Sequence, residues 1–600
     1  MSDNPPASAA AVALFEEARR IEGEDAAAAL SLFARCAAGA PAWSAPVVAL
    51  GDLLRNSGRT DEALVAYGRA FELDPTDAAI PVKSGNLRNE TRDYVAAVRD
   101  YETAAMARPD WYLPDLNRGN ALAAQGDLDG AERAYDRALE KGGPAGIRLR
   151  RDLRLPIIPE GEEPYAADYE RYRAALEMLE ADPPTLGNPL SETPGSRFYL
   201  AYHGCNDRDL QERLAAIYLA GCPKLAWTAP HCRTRARPEG PRRIAFVSRF
   251  LFDHSIGRLC LGLFRRLAVR GDCEVICFET APAPADTVHE EIAGQVSRIE
   301  TVPGDIFSAR EVIAAAAPDV VFYPEIGMDP LAYFLAFARL APIQAVTYGH
   351  PVTSGIPNID YFLSCAAAEP AIDADASGAY SERLVPLGGL PFSYVRPSTP
   401  EPLGTRADFG LAEDATIYFL AQNLFKIHPD MDAALRLILE RDPNGVILLL
   451  EGHDDAWGNV LRRRFAATMG ACASRMKFLP RQSHDDFMRL LALSDVSLDS
   501  FPFCGGNTTY QSLAMGTPVI TLPGRYLRGR VSLGIYRHMG MEELVARDVS
   551  DYAEIAARLG LDLDFRAGIM KKIAEFRDVI FEDPVFLDDA ERFLMTSAPI

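Results

Sequence analysis

The chain has 600 residues, too many for one hydrophobic core, so several domains are expected. With 48% hydrophobic and 24% charged residues its composition is that of ordinary globular protein and excludes disorder as the governing state. The net charge of −22, without a long basic run, argues against general nucleic-acid binding, whereas a substrate with one or two phosphates needs only a few local donors.

The N-terminal stretch MSDNPPASAAAVALFEEARR lacks a basic segment followed by an apolar one, and no segment is apolar and long enough to span a bilayer. Ten scattered cysteines include no C-x-x-C pair, and Cys273 and Cys277 sit in the apolar run CEVICF as core residues. A cytoplasmic protein with reduced thiols and no membrane insertion is expected.

A 34-residue period opens the chain. Gly51, Gly85 and Gly119 recur in phase with Ala63, Ala97 and Ala131, with Tyr67, Tyr101 and Tyr135, and with Ala70, Ala104 and Ala138. Pro75 and Pro109 follow, and Gly143 takes the third place. A degenerate unit precedes them, with Ala29, Phe33 and Pro41 in phase but Glu17 at the glycine position. Small residues let paired helices approach, the aromatic is expected to fill the gap to the next unit, and proline ends the second helix. The pattern resembles the tetratricopeptide repeat, in about three and a half units over residues 8–146, with a groove expected to receive a protein partner.

After the array, RLPIIPEGEEP breaks the pattern, an amphipathic helix covers Ala166 to Leu179, PPTLGNPLSETPGS breaks it again, and DRDLQERLAAIYLAG reads as another helix. From Arg242, short apolar runs alternate with helical stretches. RRIAFVS, CEVICFE, DVVFYP, IQAVTYG and IDYFLS read as buried parallel strands, and a second series follows Pro402 with TIYFLAQ, GVILLLE, VSLDSF and TPVITLP. Two such series imply two Rossmann-like halves facing a cleft, with ligands at the carboxyl ends of the strands. The expected domains are 1–150 for the repeat array, 151–240 for a helical linker region, 241–400 for the first half and 401–600 for the second half with its terminal helices.

The segment SLDSFPFCGGNTTYQSLAMGTPV places Gly505 and Gly506 before a helix that starts at Asn507, Thr508 and Thr509. Such a start can simply be capped, but it also offers backbone N–H groups and the helix dipole to a phosphate. Lys426, in LAQNLFKIHPDM after a second-half strand, can neutralise charge on a leaving pyrophosphate. His254, in the loop after the first strand, is placed to face the cleft from the other side as a general base or substrate-positioning group. His428 follows Lys426 closely and reads as local packing.

Together, FDHSIGRL, RLAPIQAVTYGHPVTSGIPNIDYF, LFKIHPDM and GGNTTYQSLAMGTPVITLPG resemble the O-GlcNAc transferase/SPINDLY glycosyltransferase family, its bacterial members included, over about residues 240–545. The resemblance implies an α-helical repeat solenoid followed by an α/β GT-B fold, a nucleotide-sugar donor, and no catalytic metal or other cofactor. It makes His254 and Lys426 the catalytic candidates. It assigns donor binding to Gly506, Asn507, Thr508, Thr509 and Gln511, to Asn423 near Lys426, to His484 beside the base, and to Gln344, Gly349, His350, Pro351, Thr353 and Ser354 around the sugar. One position departs: Gln511 stands where the family carries Asp or Glu. A glutamine still accepts a ribose hydrogen bond, without charge, so either donor binding is weaker or the nucleotide is not UDP.

The resulting expectation is a metal-independent enzyme moving a sugar from UDP-GlcNAc or a UDP-hexose to Ser or Thr of a protein docked by the repeat arm. Alternatives within the class are a flagellin glycosyltransferase using a CMP-activated nonulosonic acid, or an asparagine glycosyltransferase. A non-catalytic adaptor with a relic GT-B region is the alternative from another class. The partners expected are an acceptor protein, flagellin among the candidates, and the nucleotide sugar, not nucleic acid; self-association of the arm stays open.

Overall fold

The computed structural model describes residues 8–196, 198–233, 240–370, 378–390, 393–452 and 455–599, in two compact units, Met1–Pro156 and Ile157–Ile600. In the first unit eight helices form four successive hairpins: α1 (Ala9–Ile21) with α2 (Ala26–Gly39), α3 (Ser44–Asn56) with α4 (Thr60–Leu73), α5 (Ala79–Glu90) with α6 (Tyr94–Ala107), and α7 (Tyr112–Gln125) with α8 (Leu128–Glu140). The degenerate first unit is thus a full hairpin, with Phe15 taking up the space beside Phe33 at 5.6 Å between ring centroids. The repeated tyrosine acts inside its own unit. A Cβ added at Gly51, Gly85 or Gly119 would lie 2.5–2.7 Å from the ring of Tyr67, Tyr101 or Tyr135, so glycine is what lets each hairpin close. Those hydroxyls donate to Asp52, Asn86 and Asn120, a further column at the same period, at 2.8–3.0 Å. Lys83, Asn117 and Arg150 reach the same three acceptors from the following helix, so one polar rung per repeat ties each hairpin to its neighbour.

The second unit carries two wholly parallel sheets. The first contains β1 (Arg242–Ser248), β2 (Cys273–Glu279), β3 (Arg298–Thr301), β4 (Val320–Tyr323), β5 (Ile343–Thr347), β6 (Tyr361–Cys365) and β7 (Arg383–Leu387), in the order β3-β2-β1-β4-β5-β6-β7. The other contains β8 (Thr416–Phe419), β9 (Gly445–Leu450), β10 (Met476–Leu479), β11 (Val496–Leu498) and β12 (Val519–Ile520), in the order β10-β9-β8-β11-β12. The order reverses beside β1 and beside β8, the positions where open parallel sheets leave a crevice at their carboxyl ends. β1 and β4–β6 are buried almost throughout, as expected of strands covered on both faces.

Two features depart from the sequence reading. Residues 157–233 pack as part of this second unit: helix Arg208–Gly221 buries Tyr218 against Phe334, with centroids 5.1 Å apart. The chain's last helix, Pro584–Thr596, returns to the first sheet, where Phe593 packs on Tyr361 and Asp589 accepts from the Gly388 N–H at 2.8 Å.

Candidate active site

Loops from the carboxyl ends of both sheets enclose a cleft of about 680 Å³. The loop after β1 brings His254, the loop after β5 brings Gly349, His350 and Pro351, the loop after β8 brings Asn423 and Lys426, and the loop after β11 brings Gly506 and leads into the helix that carries Asn507, Thr508 and Gln511.

His254 is the N-cap of helix Ser255–Ala268, its Nδ1 accepting from the Ile256 N–H at 3.2 Å. In the neutral ring that leaves the proton on Nε2, so this imidazole donates to the cleft and has no free lone pair with which to take a proton. Phe250 stacks on it at 4.5 Å, and burial lowers its pKa, opposed by Asp253. The next residue, Ser255, accepts from Asn507 Nδ2 at 2.7 Å, joining the two halves across the cleft.

On the far side, helix Asn507–Met515 starts after Gly506 with no side chain capping it. Its first N–H groups and its dipole therefore face the cleft together. Thr508 Oγ1 accepts from Gln422 Nε2 at 2.8 Å, and Lys426 Nζ donates to Gln422 Oε1 at 3.3 Å and to the Cys504 carbonyl at 3.1 Å. A Cβ at Gly505 would fall on both Thr508 Oγ1 and Gln422 Nε2, so the turn needs glycine there. Lys426 lies over the Phe503 ring at 4.7 Å. Burial lowers its pKa, while Cys504 and Asp499 act in the other direction. An ammonium so placed gains most from an incoming anion. Behind it, the fully buried Arg464 is paired with Asp432 and donates to the carbonyls of Ile427 and Pro159, fixing the turn that carries Lys426.

Four expected donor contacts do not reach the cleft. Thr509 is buried and hydrogen-bonded to Ser532 at 2.8 Å, because two residues past Asn507 a helix has turned its side chains away. Gln344 is buried in β5, where its amide satisfies Leu340 N–H and the carbonyls of Ala338 and Asn358. Thr353, together with Ser354, is held by Glu382 beneath the loop. His484 does line the cleft, as the first residue of helix His484–Leu493. His428 is buried and packs edge-on against Tyr165.

The sequence reading missed the aromatic wall. Phe198 and Tyr202, from the short helical turn Phe198–His203, line the cleft. Phe198 stacks on His350 at 5.0 Å, and Tyr202 packs on Phe503 at 4.5 Å. Just before this turn Ser196 donates to the Gly327 carbonyl of the first half, and just after it the Cys205 carbonyl accepts from Arg528 of the second. Asp207 lies 3.5 Å from the same guanidinium, and burial still pushes its carboxyl up to about 6. Nothing in the turn repeats or matches a spacing rule, so only the proximity of four aromatic residues within FYLAYH hinted at it.

Residues 397–586 match Glycosyl transferase family 41, and residues 47–77 match Tetratricopeptide repeat. The chain is 30% identical over 241 residues to a Solanum lycopersicum protein named probable UDP-N-acetylglucosamine–peptide N-acetylglucosaminyltransferase SPINDLY, over 40% of this chain and 25% of that protein. It is 31% identical over 195 residues to a Caenorhabditis elegans UDP-N-acetylglucosamine–peptide N-acetylglucosaminyltransferase, over 32% of this chain and 17% of the relative. An O-GlcNAc transferase variant of Thermobaculum terrenum shares its fold with a TM-score of 0.66, covering 92% of this chain and 97% of that one at 21% identity. The chain is thus similar to O-GlcNAc transferase/SPINDLY proteins over part of its length, and to the tetratricopeptide repeat over residues 47–77. Its match spans about a quarter of the length of these SPINDLY relatives. The Thermobaculum likeness establishes the fold: helical repeats, then the two Rossmann-like sheets of a GT-B protein.

Proposed function

We propose that this O-GlcNAc transferase/SPINDLY-like chain transfers a sugar from a nucleotide-sugar donor to a serine or threonine hydroxyl of a protein, with the repeat arm docking the acceptor and no metal taking part. The observation that carries the reading is the convergence of Lys426 and an uncapped helix start on one side of a cleft whose other side presents His254. Such an arrangement holds a phosphate group and stabilises the negative charge that grows on it as the sugar leaves.

In the step proposed, the acceptor hydroxyl oxygen bonds to the anomeric carbon as the bond to the phosphate oxygen breaks. The nucleotide departs with the electron pair, and the hydroxyl proton passes to solvent water at the open side of the cleft. Lys426, the Thr508 hydroxyl and the N–H groups of residues 507 and 508 receive the departing charge. His254, with its proton on Nε2, serves as a donor that positions an oxygen. The names of the relatives favour UDP-GlcNAc as donor. Gln511, one turn along the helix from Thr508, would meet the ribose with an amide instead of a carboxylate.

Calorimetry with UDP, GDP and CMP, followed by donor hydrolysis assays on their sugar derivatives, tests the reading. Micromolar-to-millimolar binding of one nucleotide and acceptor-independent hydrolysis of its sugar are expected. Failure of all three nucleotides to bind at millimolar concentration would sink the enzyme reading and favour an adaptor.

A further inference from the structure

At the switch point of the first sheet, between β1 and β4, lies a buried acid with no part in the cleft chemistry above. Glu325 follows β4 by two residues and is 1% exposed. Because β1 and β4 run parallel with Phe246 opposite Phe322, the end of β1 brings Ser248 beside Glu325. The Ser248 hydroxyl, itself fully buried, donates to Glu325 Oε1 at 2.8 Å and accepts from the Phe250 N–H at 3.0 Å. Phe250 in turn carries the imidazole of His254, stacked 4.5 Å away at an interplanar angle of 26°. The loop between them is tight: the His254 N–H donates to the Phe252 carbonyl at 2.6 Å, and a Cβ at Gly257 would clash with that same carbonyl. Glu325, Ser248, Phe250 and His254 thus form one chain of contacts from the floor of the sheet to the cleft.

We propose that Glu325 is a positioning residue for His254, holding the imidazole at the cleft through Ser248 and Phe250. The inference rests on the transferase reading of the cleft, in which His254 presents Nε2–H to an oxygen. A free hydroxyl swings among several partners, but one that donates to Glu325 and accepts from Phe250 has a single orientation left. That fixes the backbone just past β1, where the chain turns towards the helix that His254 caps. The second oxygen of Glu325, Oε2, is buried and without a hydrogen-bond partner among the described residues. An ionised carboxylate is costly in such a place, whereas the neutral acid seats its proton on Oε2 and keeps Oε1 as the acceptor for Ser248. The surroundings agree. Burial raises the Glu325 pKa well above the carboxylate range and Asp329 adds to this, against the Ser248 hydroxyl and the Arg249 N–H. A neutral acid orients the serine without placing negative charge beneath a cleft that is to hold a phosphate.

The test uses the full chain and whichever of the UDP-, GDP- and CMP-linked sugars wild type hydrolyses fastest. Turnover, nucleotide affinity by calorimetry and thermal midpoint are compared for wild type, Glu325→Ala, Glu325→Gln, Ser248→Ala, His254→Ala and the pair Glu325→Ala with His254→Ala. Glu325→Ala is expected to lower turnover about ten- to hundredfold with nucleotide affinity unchanged, the scale on which a displaced reacting group costs rate. Ser248→Ala should do the same, and it carries the test if Glu325→Ala does not fold. Glu325→Gln, whose amide oxygen accepts from Ser248 without charge, should recover most of the loss. The pair decides: a residue that acts only through His254 adds less than about twofold once His254 is alanine. An undiminished loss in that background marks a structural role and overturns the proposal. So does wild-type turnover in Glu325→Ala or Ser248→Ala, a Glu325→Gln variant as impaired as Glu325→Ala, or a parallel fall in nucleotide affinity. Each of these results leaves the transferase reading standing. If wild type hydrolyses none of the donors, that reading itself falls and takes this inference with it.

Discussion

Two helices point their N-termini into one cleft, and the sequence treats them differently. Helix Ser255–Ala268 is capped by the His254 ring, which accepts one of its free N–H groups; helix Asn507–Met515 begins after a glycine with no capping side chain. Both starts have the same unsatisfied backbone donors and the same sign of dipole. What separates them is occupancy. The first has used a donor internally and turned its cap into a rigid N–H on Nε2, whereas the second keeps its donors for a ligand and has Lys426 nearby to add charge. A helix start is thus evidence for an anion site when its cap is missing and a cation stands beside it, not merely because it is a helix start.

Several changes would break or sharpen this contrast. The largest effect is expected for Lys426→Ala, which should lower turnover at saturating donor by roughly 10²–10³-fold. Its thermal midpoint should stay near wild type, because no described carboxylate is ion-paired with the lysine. Wild-type turnover would remove Lys426 from the charge-stabilising side of the comparison. Next is Gly505→Val, whose side chain would displace Thr508 Oγ1 and Gln422 Nε2; nucleotide affinity should fall by about tenfold or more. The cost of these displaced hydrogen bonds, on the order of 1–3 kcal/mol, sets that scale. Unchanged affinity would mean the uncapped start is not where the phosphate sits.

Smaller effects test the capped start. His254→Ala should cost about 1 kcal/mol of stability through the lost cap. His254→Asn should restore the cap but not the Nε2 donor, so unfolding and transfer assays separate the two roles. The smallest effect is in pH dependence. His254 and His350 both have lowered pKa values in the folded state, the latter at about 4 against an ordinary 6.5. Such groups stabilise the fold fully above pH 6.5, and that contribution is lost as pH falls toward the folded value. For His350 the loss between pH 6.5 and 4 is roughly 3 kcal/mol, and urea unfolding of His350→Phe should show a flatter profile across that window.

The features legible in the sequence share a physical cause. The repeat columns stand out because the contact between Gly51 and Tyr67 is local and is made again at Gly85 and Gly119. β1, β2, β4 and β5 stand out because burial on both faces removes alternation and leaves plain apolar runs. The missed strands β3, β7 and β10 all lie at sheet edges, where RIET, RLVPL and MKFL are short and partly exposed. At the cleft, the residues next to a strand's carboxyl end line one crevice, since parallel sheets aim those loops there. Thr509, Gln344, Thr353 and Ser354 lie off the cleft because a motif gives spacing along the chain but not the direction of each side chain. Phe198 and Tyr202 escaped because stacking on His350 and Phe503 joins residues far apart in sequence and leaves no local pattern.

The turn that carries Phe198 and Tyr202 also bears on how this architecture can be recombined. A segment tied to Gly327 on one side and Arg528 on the other is a seam of the cleft, not a tether between modules. Exchanging the repeat array for another would have to be made ahead of Ile157 to leave the cleft whole. A cut placed where the first strand begins, at Arg242, would remove the Phe198–His203 wall along with the repeats. The stretch from Phe198 to His203 therefore belongs with the sheets it completes, whatever array stands ahead of Ile157.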